Sequence, residues 1–507
     1  MKLQNYLAGN WIDGDGDGSP LFNSVTGEIV THASTNGLDF KAALAYGRKS
    51  GEALRKMTFQ ERGLMLKALA LHLLEKKEKY YEVSYKTGAT RIDSWIDIEG
   101  GIGNLFANAS LRKQFGNSSH YVDGDYAPLG KTGTFIGHHI IVPKEGIAVH
   151  INAYNFPIWG MLEKVAVNWM AGVPAIVKPA TVTSYLTEVM VRDIIASGIV
   201  PEGSLQLICG SARDLLDHVE MQDVVTFTGS ASTGRMLKAK PSIINNSVPF
   251  NMEADSLNSS VLGPDAVPGT PEFDLFIKEV SKEITVKCGQ KCTAIRRIMV
   301  PENLVEDVQI AVGQRLEKTT IGAPTAEGVR MGALAGQDQM REVKEQVDLL
   351  LKESQIVFGN LDPVDAIGAD GSKGAFMSPI LMRNDDPFNN SAVHNIEAFG
   401  PVSTIMPYKT MDEAVALTKL GLGSLCASIV TNDEKTAREF ALGAASYHGR
   451  ILVLNGDCAK ESTGHGSPMP LLVHGGPGRA GGGEERWAEN GAYCITCNVP
   501  QFKARQR

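Results

Sequence analysis

The chain has 507 residues, 43% of them hydrophobic, and a formal net charge of −8 spread without basic blocks. Such a length predicts roughly two or three domains with sizeable cores. The charge pattern argues against nucleic acid or an anionic membrane surface as the main partner, leaving room only for a local basic pocket. Seven cysteines, no apolar leader after Met1-Lys2-Leu3 and no run near the ~18 apolar residues of a span predict a cytoplasmic protein with reduced thiols and no membrane segment.

In chain order, Asn5 to Thr26 carries short apolar runs broken by Gly14-Asp15-Gly16-Asp17-Gly18, which predicts small strands joined by a turn. Leu66, Leu69, Ala70, Leu73 and Leu74 recur at helical spacing and predict an amphipathic helix. The β-like run from Gly133 to Val142 interrupts a helical region and is expected to project as a hairpin that pairs with another element or subunit. The pattern then becomes regular. Strands at Ile147–Ile151, Pro174–Val177, Leu205–Ile208 and Val224–Thr228 alternate with helices over Trp159–Met170 and around Leu186–Ile195. Alternation of this kind implies a parallel sheet covered on both faces, with ligands bound beyond the carboxyl ends of the strands.

From Glu253 the alternation loosens. It runs through a helix at 272–286, a strand at 297–300, a helix at 303–317, a loop-rich interval to about Arg383, and a last helix around Glu434 to Ala444. The stretch Gly475-Gly476-Pro477-Gly478-Arg479-Ala480-Gly481-Gly482-Gly483 is expected to be too glycine-rich for regular structure. No internal repeat is present.

Chemistry gathers at five loops. Gly289-Gln290-Lys291-Cys292-Thr293-Ala294 presents a thiol between a helix and a strand. Asn152-Ala153-Tyr154-Asn155-Phe156-Pro157 and Val177-Lys178-Pro179-Ala180 follow strands. Phe227-Thr228-Gly229-Ser230 opens a helix whose free N–H groups suit a phosphate. Asn251-Met252-Glu253-Ala254-Asp255 precedes the cysteine loop. Each also has a plain structural reading: Asn155 as a helix cap, Lys178 as a solvated charge, the glycines as turns, Glu253 as a surface carboxylate. Cys288, Cys209, Cys426 and Cys458 read as packing residues; His465 and His474, which lack metal-ligand spacing, read as structural or substrate-contacting.

In this order and spacing, together with Asp97-Ile98-Glu99-Gly100-Gly101, Lys291 to Arg297 and Ser462-Thr463-Gly464-His465-Gly466, these stretches resemble the aldehyde dehydrogenase superfamily over roughly residues 5 to 484. The likeness is strongest to the aldehyde dehydrogenase part of the bifunctional ring-opening proteins of phenylacetate degradation. Many signatures are shared with the dehydroadipyl-CoA semialdehyde dehydrogenases of benzoate degradation. The resemblance implies an α/β aldehyde dehydrogenase fold. It comprises an NADP-binding domain of parallel-sheet, Rossmann-like type (1–127 and 147–252), an oligomerisation hairpin (128–146), an α/β catalytic domain (253–460) and a return segment (461–485). It assigns Cys292 as nucleophile, the Asn155 amide and the Cys292 N–H as oxyanion donors, and Glu253 as the base that lets water hydrolyse a thioester. Lys178 would hold the adenosine ribose, Gly229 and Ser230 the pyrophosphate, and Glu397 and Phe399 the nicotinamide end. Relatives that prefer NAD often carry a glutamate just beyond the lysine-proline pair; Ala180 and Thr181 stand here instead, so NADP is expected, with NAD as the alternative. The family's Glu-Leu-Gly-Gly is Glu253-Ala254-Asp255-Ser256 in this chain, a departure that bears on the orientation of Glu253. No metal is implied.

The resemblance predicts oxidation of a CoA-linked semialdehyde, 3-oxo-5,6-didehydrosuberyl-CoA semialdehyde, to its acid by a homo-oligomer. The alternatives are 3,4-didehydroadipyl-CoA semialdehyde as substrate, or an inactive cofactor-binding truncation product. The tail, 486–507, departs from the family. Codons compatible with Cys494 to Arg507 read in a shifted frame as the family's last strand, so we expect a frame-shifted remnant of a longer gene carrying a hydratase domain. Cys494-Ile495-Thr496-Cys497 would then be accidental rather than a zinc motif.

Overall fold

The computed structural model describes residues 2–470, 472–482 and 484–486. Two seven-stranded sheets organise it. In the first, Phe250–Glu253, Val224–Thr228, Ala148–Ile151, Ala175–Lys178 and Leu205–Leu207 lie side by side in parallel; Asn5–Leu7 and Asn10–Ile12 extend that edge antiparallel. The parallel strands are buried on both faces, which is why Ala148, Val149, Ala175, Ile176 and Val177 form an unbroken apolar run rather than an alternating one. Their ends are in register: Ile151 opposite Lys178, Phe227 opposite Ile151, and Thr228 opposite Glu253. Asn155, Lys178, Gly229 and Glu253 therefore emerge at or just beyond the carboxyl ends of this sheet's strands.

Helices Phe59–Leu74, Arg91–Ser110, Pro157–Met170 and Ser184–Ser197 contribute to the core on this sheet, with Leu66, Leu69, Leu73, Ile98, Leu105, Leu162 and Val165 at its centre. Two of them start at capping boxes, Thr58 with Glu61 and Thr90 with Asp93, each box contributing about 0.5–2 kcal/mol.

The second sheet runs Gln355–Phe358, Ile380–Arg383, Val402–Tyr408, Arg297–Pro301, Ser259–Leu262, Ser424–Val430 and His448–Leu454, parallel except for its first pair. Helices Pro271–Thr285 and Val305–Leu316 pack on it. The interval to Arg383 is not merely loop: it holds the 14-residue helix Gln337–Leu350 and two of these strands. That helix buries only Val343, Val347 and Leu350. A stripe so narrow in a charged segment leaves little periodic signal.

The hairpin pairs Tyr121–Pro128 with Ile136–Ile141, so its first strand begins earlier than the boundary at 128 expected from the sequence. The glycine-rich stretch is also more ordered than expected. Val473–Gly475 pairs with Glu484–Arg486, and Gly478–Ala480 forms a short 3-10 turn. Its glycines permit backbone contact: a Cβ on Gly481, whose φ is 110°, would sit 2.1 Å from the Met252 carbonyl oxygen. Residues 487–507, with most of the expected tail, lie outside the described residues. Among the described residues no helix is long and apolar enough to cross a membrane.

Candidate active site

Cys292 follows a contorted turn. Lys287, Cys288 and Gly289 take φ of 55°, 52° and 66° in succession, a left-handed run that costs non-glycine residues about 1–2 kcal/mol each. Surrounding bonds impose it. The Lys287 N–H donates to Asp93 Oδ1 at 2.7 Å, while the other oxygen of Asp93 serves the cap of helix Arg91–Ser110. Gln290 Nε2 donates to the Lys287 carbonyl at 3.1 Å, and Gln290 Oε1 accepts from the Ala335 N–H at 3.0 Å. Arg296 reaches the carbonyls of Gly289 and Gly400, both at 2.7 Å. Gly289 is required, since a Cβ there would lie 2.1 Å from the Gly400 oxygen. Asn258 Nδ2 closes the far side on the Cys292 carbonyl at 2.8 Å.

Asn155 and Glu253 meet Cys292 at one cavity of about 550 Å³, whose apolar walls include Trp95, Ile96, Trp159 and Met469. Asn155 Nδ2 donates to the Gln290 carbonyl at 3.0 Å, which orients the amide beside the thiol. An amide nitrogen carries two protons, so one remains for a substrate oxygen. Glu253, the last residue of its strand, is 3% exposed. Burial, then the neighbouring Glu253 carboxylate that accepts from the thiol, pushes Cys292 well above the ordinary cysteine range. The resting thiol is protonated, with its acceptor already in place.

The Asp97-Ile98-Glu99-Gly100-Gly101 signature acquires a function from this geometry. Asp97 Oδ1 accepts the N–H groups of Ile158 and Trp159 at 3.1 and 2.7 Å, anchoring the helix that begins just after Asn155. Gly100 and Gly101 lie against Trp159, where a Cβ on Gly100 would stand 2.2 Å from the indole.

The residues expected to hold a cofactor lie apart from the cavity lining. Lys178 ends its strand, and burial draws its ammonium down to about 8. Ser230 caps helix Ala231–Lys238. Two N–H groups of this phosphate-type turn already have acceptors: that of Gly229 bonds the Glu253 carbonyl at 3.2 Å, and that of Ala231 bonds Asp255 Oδ1 at 2.9 Å. Asp255, the departure from the family pattern, thus caps the neighbouring helix and stands 3.8 Å from Arg479 Nη2. Glu397 is mostly buried, accepts from the Ser256 N–H at 3.1 Å, and is raised by burial to about 7. Phe399 packs edge-on against Tyr154 at 6.0 Å, with the Arg296 guanidinium 5.4 Å from its ring centre.

Sequence reasoning left His474 as structural or substrate-contacting, and the structure puts it in the cavity wall, its Nε2 3.6 Å from Glu253 Oε2. Donor atoms of Glu253, Cys292 and His474 all lie within 4.8 Å of one another. The buried pair Glu163 and Lys164, bonded at 2.7 Å, lines the same cavity. Only their position on the helix after Asn155 could have drawn notice. Among the other cysteines, Cys209, Cys288 and Cys426 are buried as expected, but Cys458 is exposed, where its sulfur accepts from the Asn455 N–H.

The chain matches the aldehyde dehydrogenase family over residues 11–463. It is 43% identical over 479 residues to a 3,4-dehydroadipyl-CoA semialdehyde dehydrogenase of Aromatoleum evansii, covering 94% of this chain and 93% of that one. It is 49% identical over 156 residues to Protein MaoC of Klebsiella aerogenes, covering 31% of this chain and 45% of that protein. In fold it is similar to betaine aldehyde dehydrogenase of Staphylococcus aureus solved in complex with NAD+, with a TM-score of 0.84 at 20% identity over 98% of this chain and 93% of that one.

Proposed function

Because the chain belongs to the aldehyde dehydrogenase family, we propose that it oxidises a CoA-linked semialdehyde to the carboxylic acid, with 3-oxo-5,6-didehydrosuberyl-CoA semialdehyde as substrate and NADP as acceptor. The convergence of Cys292, Asn155 and Glu253 on one apolar cavity carries this reading. Cys292 attacks the aldehyde carbon as its proton passes to Glu253, and the Asn155 amide donates to the oxygen that becomes negative. The nicotinamide cofactor, when bound, supplies the hydride acceptor that turns the thiohemiacetal into a thioester. Glu253 passes the thiol proton on to solvent, then takes a proton from the attacking water, and hydrolysis frees the acid while this proton returns to the Cys292 sulfur.

The cofactor assignment rests on the end of strand Ala175–Lys178. Lys178 is a partly desolvated cation, and Ala180 and Thr181 place no carboxylate where a 2′-phosphate would come. Ser230 and the helix behind it take the pyrophosphate once Asp255 yields the Ala231 N–H. Glu397 and Phe399 position the nicotinamide end.

A second reading, 3,4-dehydroadipyl-CoA semialdehyde as substrate, is favoured by the name of the 43% identical relative. Turnover of both semialdehydes with NADP and with NAD separates the two, the larger kcat/KM naming the substrate. Cys292→Ala should abolish NADPH formation with either; unchanged turnover in that variant would overturn the mechanism.

A further inference from the structure

His474 is buried beside Glu253, yet neither thiol attack nor the oxyanion donors employ it. Its two ring nitrogens face different partners. Nδ1 lies 2.8 Å from Arg450 Nη1, and Nε2 lies 3.6 Å from Glu253 Oε2. A guanidinium can only donate, so Nδ1 is the acceptor and the neutral ring carries its proton on Nε2. The N–H that faces Glu253 is therefore selected by Arg450.

Arg450 is itself well fixed. It belongs to strand His448–Leu454 of the second sheet, and its Nη2 donates to the Gly466 carbonyl at 3.0 Å. The segment carrying His474 lies close against that strand, since a Cβ on Gly449 would meet the Gly475 oxygen at 1.7 Å. A polar line thus runs from the second sheet through Arg450 and His474 to the carboxylate that ends a strand of the first. Glu163, paired with Lys164, faces the same carboxylate from helix Pro157–Met170, and Cys292 faces it across the cavity. The tautomer also bars a metal from Glu253, Cys292 and His474: ligation through Nε2 while Nδ1 accepts from Arg450 would leave the ring with no proton at all.

We propose that His474 is a positioning residue whose Nε2–H, directed by Arg450 and facing Glu253 Oε2 at 3.6 Å, beyond hydrogen-bond length, orients the carboxylate electrostatically to receive a proton from the deacylating water. This rests on the reading of Glu253 as the base of thioester hydrolysis. His474 touches neither the reacting carbon nor the thiol in this role, so its loss should slow deacylation more than formation of the thioester.

Rapid mixing of the full chain with NADP and an aldehyde substrate separates the two stages. His474→Leu should retain a burst of about one NADPH per active site and then turn over roughly 10–100-fold more slowly than wild type. His474→Gln, whose amide nitrogen can still donate, should recover most of the steady-state rate. His474→Asn, polar but shorter, should behave like His474→Leu and serves in its place if that variant fails to fold. Wild-type steady-state turnover in His474→Leu or His474→Asn, or equal loss of burst and steady state, overturns the proposal. Glu253→Gln is measured alongside. Slow deacylation there with wild-type behaviour at position 474 rejects the positioning role alone; wild-type deacylation in Glu253→Gln removes the reading beneath it.

Discussion

Asn155 shows how a single side chain is committed before substrate arrives. One amide proton is spent on the Gln290 carbonyl at 3.0 Å, which leaves the other for the oxyanion of the proposed reaction. Asn155→Ala should lower kcat by about 10²–10³-fold with little change in KM, because the lost bond forms fully only in the transition state. Steady-state kinetics with the semialdehyde checks it, and wild-type kcat in Asn155→Asp, which keeps the shape but cannot donate, would argue for a steric rather than an electrostatic role. Cofactor choice is a residue-scale matter as well. Two like charges about 4 Å apart repel by about 4 kcal/mol near a protein surface, so Thr181→Glu should cut kcat/KM for NADP by at least about 10-fold while sparing NAD. Retained NADP preference in that variant would disprove the assignment of the 2′-phosphate. That Cys292, Asn155 and Glu253 would come together was legible in the sequence because each sits in a short motif with fixed neighbours. His474 was not, since its role depends on Arg450 and Glu253, which come from two different sheets and meet it only in the folded chain.

Elements, more than single residues, keep the cavity in shape, and Asp97 is the joint between two of them. It extends from helix Arg91–Ser110 to the first N–H groups of helix Pro157–Met170, and burial raises its carboxyl to about 7 against an unfolded value of 3.8. The native state then holds a proton that the unfolded chain has released, so this group makes stability fall as pH rises from about 4 to about 7. Both N–H groups bond Oδ1, an atom that asparagine retains. Asp97→Asn should therefore match wild type near about pH 4 and exceed it near about pH 8, with a flatter urea midpoint across that window. An unaltered slope would assign the pH dependence elsewhere; Glu397, raised to about 7, has the same sign and leaves a residual slope. The alternating strands and helices to Thr228 were readable because parallel strands buried on both faces leave solid apolar runs. Helix Gln337–Leu350 was hidden by its thin stripe of Val343, Val347 and Leu350 and by a start at Gly336 without a side-chain cap. The order of the glycine stretch comes from contacts distant in sequence, such as the Ala254 N–H with the Ala480 carbonyl at 3.0 Å, so no local pattern announces it.

At the scale of the whole molecule, the projecting hairpin is the feature that one chain leaves incomplete. Tyr121–Pro128 and Ile136–Ile141 form a sheet of two strands, and a two-stranded ribbon is marginal in water unless something packs on it. This one exposes Val122, Tyr126, Phe135, Ile136 and Ile140, with Val122 and Ile140 directly opposite one another and so on one face. Its base is anchored through Tyr121 edge-on against Phe115 at 5.0 Å and the buried Ile141. Exposed apolar side chains on a two-stranded edge are what a second copy of the chain would cover by symmetric pairing. The purified chain should therefore sediment as a dimer or larger species. Ile140→Lys, which puts a charge at the centre of that face without touching the cavity, should shift the mass toward monomer. Because the cavity residues all come from one chain, monomeric Ile140→Lys should still form the thioester burst. A variant that stays oligomeric would assign assembly to another surface, whereas a monomer that has lost the burst would show that the neighbouring copy supports the cysteine loop from outside.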